Sequence, residues 1–66
     1  MSEKFYSLEM KNISVGDILC YRFNAEDKYL VLADGLEISL LELFSGHVLH
    51  PTPMDVLNNF LKVEDE

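Results

Sequence analysis

Three side chains in this 66-residue chain have the chemistry to hold a metal ion or attack an electrophile: Cys20, His47 and His50. Zinc takes four ligands in recognisable spacings, and here there are three candidates with no Cys-x-x-Cys. A thiol nucleophile needs a positioned base and an orienting group as well. The pattern therefore predicts a packed Cys20 on a strand, two ordinary surface histidines, no metal, no cofactor and no enzyme activity. Gly16, Gly35 and Gly46 are dispersed at turn positions, outside any Gly-rich phosphate loop, which argues against nucleotide binding.

The carboxylates are the unusual feature. Twelve Asp and Glu against five Lys and Arg give a net charge of −7. Glu26, Asp27, Asp34, Glu37 and Glu42 cluster between the second and fourth expected strands. Such charge keeps a small apolar protein in solution. It also makes a face that docks on a basic partner, one that otherwise holds DNA or RNA. On a strand, residues i and i+2 lie about 7 Å apart, comparable to successive phosphates. No Asp or Glu pair inside the expected strands has that spacing, so a DNA mimic must be assembled across turns or across a dimer. Direct nucleic-acid binding is not expected, because it needs positive charge against phosphate. Specificity on a charged face comes from apolar anchors, and Tyr21, Tyr29 and Phe44 lie nearest the acidic loops.

The elements that position these residues must come from a small body. The chain reads as a single small domain, 1–66, whose apolar share of 48% is enough to fold. It has no run of 18 apolar residues to span a membrane. Its first residues lack the basic and apolar regions of a signal peptide, so the expected compartment is the cytoplasm. Residues 4–10 alternate as a short strand, and 11–17 carry loop chemistry. Residues 15–23 form the best strand, with Leu19, Tyr21 and Phe23 on one face and Ile18, Cys20 and Arg22 on the other. Residues 24–27 read as a polar connector and 28–33 as the next strand.

Asp34-Gly35 predicts a hairpin with a type I′ turn, which needs positive φ at both central residues. Residues 36–44 fit a strand and a helix equally well. A strand is favoured because the preceding strand needs an antiparallel partner, and Leu40-Leu41 then marks a β-bulge. Ser45-Gly46 turns into a returning strand at 47–50. Thr52 as N-cap, Pro53 at the first helical position and Asp55 in the first turn announce a helix over 53–62. Its apolar stripe is Met54, Leu57 and Leu61, with Phe60 beside it. An alternative makes 61–64 a closing strand. The last residues, 64–66, read as a frayed acidic tail.

The expected class is mostly β with one C-terminal helix, in four or five antiparallel strands; the alternative is α+β with a helix at 36–44. The stretch 15–50, opening at Val15-Gly16-Asp17 and turning at Asp34-Gly35 and Ser45-Gly46, resembles small barrels of the Tudor and KOW type, within the SH3-like class. That resemblance implies a small closed barrel. Tyr21, Phe23 and Tyr29 could supply part of a Tudor-type aromatic cage, whereas the basic residues of a KOW-type RNA contact are absent. Size and acidity are similar to those of small bacteriophage accessory proteins that bind and inhibit host machinery. The expected function is therefore a non-enzymatic protein-binding module, an acidic inhibitor docking on a basic, nucleic-acid-binding host protein. The alternative is a self-associating structural or adaptor protein. Seven aromatics and strands with two apolar faces need two covers, and one helix supplies one. A homodimer or a partner surface would supply the other.

Overall fold

The structure, a computed structural model, describes residues 3–65. Six antiparallel strands form one open sheet: β1 (Glu3–Ser7), β2 (Ile18–Tyr21), β3 (Asn24–Ala33), β4 (Ser39–Glu42), β5 (Val48–Leu49) and β6 (Phe60–Asp65). Their spatial order is β1-β6-β2-β3-β4-β5, so β1 and β5 are the edges. A short helix, α1 (Pro53–Asn59), precedes β6. The expected barrel of four or five strands is thus replaced by six strands in an open sheet. Residues 36–44 contribute a strand, not a helix.

The chain's end accounts for the extra strand. Thr52 caps α1 as expected: its Oγ1 accepts the Asp55 N–H at 3.2 Å, and Pro53 opens the first turn. The helix stops after Asn59, short of residue 62, because Phe60 turns to an extended conformation, φ −127° and ψ 155°. From there β6 inserts between two strands, paired with β1 from Ser7↔Leu61 to Glu3↔Asp65 and with β2 from Tyr21↔Phe60 to Leu19↔Lys62. A strand bonded on both sides outweighs the weak helical preference of this segment. Glu64 and Asp65, read as a frayed tail, belong to this strand, and Glu66 lies outside the described residues. Of the expected stripe Leu57 packs against the core, as does Phe60 beside it, but Met54 is 65% exposed and Val56, outside the stripe, is fully enclosed.

The first strand is shorter than expected, and Met10–Asn12 form a 3-10 turn. Residues 24–27 are not a connector. The β2–β3 turn is Arg22-Phe23, and Asn24 already pairs with Tyr21. Because Cys20 pairs with Lys28, Ala25, Glu26 and Asp27 are taken up as an irregularity on β3. Asn24 Oδ1 accepts the Glu26 N–H at 3.2 Å, and Lys28 Nζ donates to the Ala25 carbonyl at 2.6 Å. The polarity that reads as a loop is the polarity of a bulged, exposed strand end.

The β3–β4 hairpin forms, from Tyr29↔Glu42 to Ala33↔Ser39, but without the type I′ turn. Residues 34–38 connect the strands, and only Gly35 there has positive φ, at 100°. The one-residue slip sits at Leu32 on β3, between Val31↔Leu40 and Ala33↔Ser39, not at Leu40-Leu41 on β4. The Ser45-Gly46 turn holds: the Gly46 N–H donates to the Glu42 carbonyl and the Glu42 N–H to that of His47, both at 2.8 Å. Leu19, Tyr29, Val31 and Leu40 line one face of the sheet. Leu8, Ile13, Ile38, Val56 and Phe60 close over them as the core.

Candidate functional site

The site is built on the first residues of β3 and the last of β4. Tyr29 and Glu42 are directly opposed and project to the same face. Asp27, two residues before Tyr29, follows it to that side. Burial of the Tyr29 ring in the core, with the residue only 5% exposed, fixes where its hydroxyl points. The ring meets Phe60 edge-on, centroids 5.0 Å apart at 87°. The hydroxyl donates to Asp27 Oδ2 at 2.8 Å and lies 3.1 Å from Glu42 Oε2. Ser45, in the following turn, donates to Glu42 Oε1, and its Oγ accepts the His47 N–H at 3.3 Å.

Two carboxyls around one hydroxyl titrate apart. Burial pushes Asp27 up, and Glu42 beside it adds to that against the opposing bond from Tyr29. The Ser45 hydroxyl holds Glu42 below the ordinary range, aided by hydrogen bonding with Asp27. Burial and the two carboxylates push the Tyr29 hydroxyl well up, so it stays a proton donor. The group is thus two carboxyls gathered around one Tyr29 hydroxyl. Asn24, Glu26, Asp27, Glu42 and Phe44 wall an open pocket of about 260 Å³. Phe44 stands at its rim with 97% of its surface in water. This arrangement suits a cation: carboxylates for its charge and an aromatic face for its stem.

The expected acidic set is divided between the two ends of the β3–β4 hairpin. Glu26, Asp27 and Glu42 lie at one end; Asp34 and Glu37 lie on the 34–38 connection, roughly 20 Å along the strand from Asp27. Of the aromatics, Phe44 joins the pocket, and Tyr29 supports it from within. Tyr21 is half-buried against Phe23 and Phe60. Sequence reasoning passed over Ser45 and Asn24. A serine three residues after Glu42 in a Gly-containing turn was the available signal. It also passed over a second hollow of about 490 Å³, lined by Leu36, Ile38, His50 and the Pro51–Pro53 segment, which no motif marks.

Cys20 is fully buried in β2, where desolvation raises its thiol. His47 sits beyond the β4 turn, and His50 Nδ1 lies 3.1 Å from Ser39 Oγ. Among the described residues, no three His, Cys, Asp or Glu are grouped to share a metal ion. No helix among them is long and apolar enough to cross a membrane. No family model, no curated protein and no solved structure matches the chain.

Proposed function

We propose that this chain is a non-enzymatic binding module that docks on a basic, nucleic-acid-binding protein and competes with the nucleic acid. The observation that carries the reading is Phe44, almost wholly exposed at the rim of a pocket walled by Glu26, Asp27 and Glu42. An Arg or Lys of the partner would stack its stem on Phe44 and give its charge to the Asp27–Glu42 pair. That cation would also relieve the repulsion between the two carboxylates. With a net charge of −7, the field steers basic surfaces inward and repels phosphate. The order β6-β2-β3-β4-β5, with a short helix leading into β6, supports a relationship to the SH3-like class in an opened form.

The test begins with capture of partners from a lysate of the host, followed by titration of this protein into a captured partner bound to DNA or RNA. Release of the nucleic acid is expected, weakening as salt rises. The variant Phe44→Ala should dissociate faster, whereas Glu26→Lys with Asp27→Lys should associate more slowly and with less salt dependence. Nucleic acid that stays bound while this protein binds beside it would overturn the competitive reading. Capture undiminished in both variants would overturn the site.

A further inference from the structure

The cations of this chain are confined to one part of it. Its Lys and Arg residues are Lys4, Lys11, Arg22, Lys28 and Lys62. Residues 29–61, which hold half of β3 and all of β4, β5 and α1, have none, against four carboxylates at Asp34, Glu37, Glu42 and Asp55. The ion pairs of Lys11, Lys28 and Lys62 go to Glu9, Glu3, Asp17 and Glu64, all outside that stretch. The hollow of about 490 Å³ lies within it, between the 34–38 connection and Pro51–Pro53. One wall is Leu36, whose side chain is wholly exposed; the other is the two proline rings, which have no rotamers to freeze on binding. Ile38 lies beneath, in the core. Of the polar groups at the rim, His50 is turned to Ser39, and the Thr52 hydroxyl oxygen accepts the Asp55 N–H. That leaves the Glu37 carboxylate, which has no side-chain partner among the described residues.

We propose that this hollow is a second docking subsite for the basic partner, holding an apolar side chain while a neighbouring Lys or Arg of the same segment reaches Glu37. The inference rests on the function proposed above and carries the contact to the other end of the β3–β4 hairpin. Ile38, Leu40 and Glu42 alternate onto one face, where Ile38 and Leu40 are both in the core. The hollow at Ile38 and the acidic pocket at Glu42 therefore flank the same face, about 13 Å apart along the strand. Leu36 and Phe44, the two most exposed large apolar side chains among the described residues, stand one at each recess. Each recess thus offers an unburied apolar surface beside a carboxylate. Charge decides what fills the hollow. A second copy would bring Asp34, Glu37 and Asp55 up to their like, and phosphate would meet the same repulsion. An uncharged apolar ligand would take water from Glu37 and give it no counter-charge. A segment that joins an apolar residue to a cation satisfies both surfaces. Two recesses engaged by one partner reinforce each other through effective concentration, so a weak contact at each suffices.

Peptide titrations of the full chain, followed by backbone NMR, separate the two subsites. The blocked dipeptide Leu-Lys should shift the amides of Glu37, Ile38 and His50 saturably in the millimolar range, and Leu-Glu should not. A longer peptide carries Leu-Lys, a spacer of about six Gly and Ser residues and a final Lys; the spacer's root-mean-square length of about 13 Å matches the separation. It should bind about 10-fold or more tighter than Leu-Lys, shift Glu26, Asp27 and Glu42 as well, and weaken with salt. Leu36→Ser with Glu37→Lys, both exposed on a connection, should abolish the shifts at Ile38 and His50, return the longer peptide to the affinity of a single contact, and spare the shifts at Glu26 and Asp27. The mapping on the unmodified chain needs no variant to fold. Shifts confined to the acidic pocket would overturn the second subsite and leave the proposed function standing. Shifts confined to the hollow would support the subsite and overturn the function proposed from the acidic pocket. Equal binding of Leu-Glu would overturn the proposal, as would shifts at the hollow that follow protein concentration with no peptide present.

Discussion

Replacing Tyr29 by Phe isolates the hydroxyl at the centre of the acidic pocket. The ring is in the core and Phe has the same shape, so the contact with Phe60 survives and only the polar atom is lost. A hydrogen bond to a charged acceptor contributes about 1.5–3 kcal/mol when buried. The carboxylates here face water, so solvent screening reduces the expected loss to about 1–1.5 kcal/mol near neutral pH. The pH dependence is the sharper test. Burial holds Asp27 above its ordinary 3.8, so the folded chain takes up that proton at higher pH than the unfolded one, and Asp27 favours folding as pH falls through this window. Glu42 behaves oppositely: the Ser45 bond holds it below 4.5, so its contribution is present above 4.5 and lost as pH falls through its lowered value.

The Tyr29 hydroxyl lowers both carboxyls, and its removal moves the Asp27 proton to still higher pH. The variant therefore gains more than the parent on acidification, and the penalty shrinks as pH falls. Urea midpoints of both proteins by far-ultraviolet circular dichroism, from neutral to acid pH, measure this directly. A penalty that is constant with pH, or larger in acid, would refute the assignment of the hydroxyl as donor to the pair.

Three further outcomes follow from the fold. Thr52→Ala should cost about 1 kcal/mol in chemical denaturation, since Thr52 Oγ1 takes the Asp55 N–H. Gly35→Val should cost about 1–2 kcal/mol from backbone strain alone: φ is 100°, yet a Cβ there would touch nothing within 4 Å. The Cys20 thiol, fully buried and pushed up by desolvation, should alkylate in the native protein only on the timescale of opening, and fast in urea. Equal rates in both conditions would place it at the surface.

What was legible in the sequence was what local chemistry decides. Thr52-Pro53 specifies a helix start because the cap and the fixed φ act within one turn. The β3–β4 hairpin was legible from two apolar runs around Asp34-Gly35. The failures lie where a distant segment decides. Residues 60–62 continue an apolar helical pattern, but β1 and β2 offer ladder bonds on both sides and draw them into β6, so the closing-strand alternative for 61–64 holds over the longer helix. No neighbour in the chain announces that slot. The polar run 24–27 reads as a loop because composition alone cannot tell a loop from a bulged strand end. Within the site, Glu26, Asp27, Glu42 and Phe44 were legible by type. Their separation from Asp34 and Glu37 depends on where the hairpin turns, and the hydroxyl joining Asp27 to Glu42 depends on register.

That hydroxyl bears on whether the acidity serves more than solubility. Charge needed only for solvation works best dispersed, because like charges brought together on neighbouring strands destabilise a sheet. Asp34 and Glu37, on an exposed connection, fit dispersal. Asp27 and Glu42 do not. They come from different strands and converge on one Tyr29 hydroxyl, and burial, with Glu42 adding to it, raises Asp27 against the direction that keeps it ionised. In a small chain with a thin stability margin, the raised Asp27 carboxyl works against folding as pH rises through its folded-state value. Its location also matters: it opens to water beside an aromatic ring that buries nothing in the free protein. Exposed Phe44 leaves the isolated molecule no better and the raised Asp27 carboxyl weakens it, and one incoming cation would satisfy both.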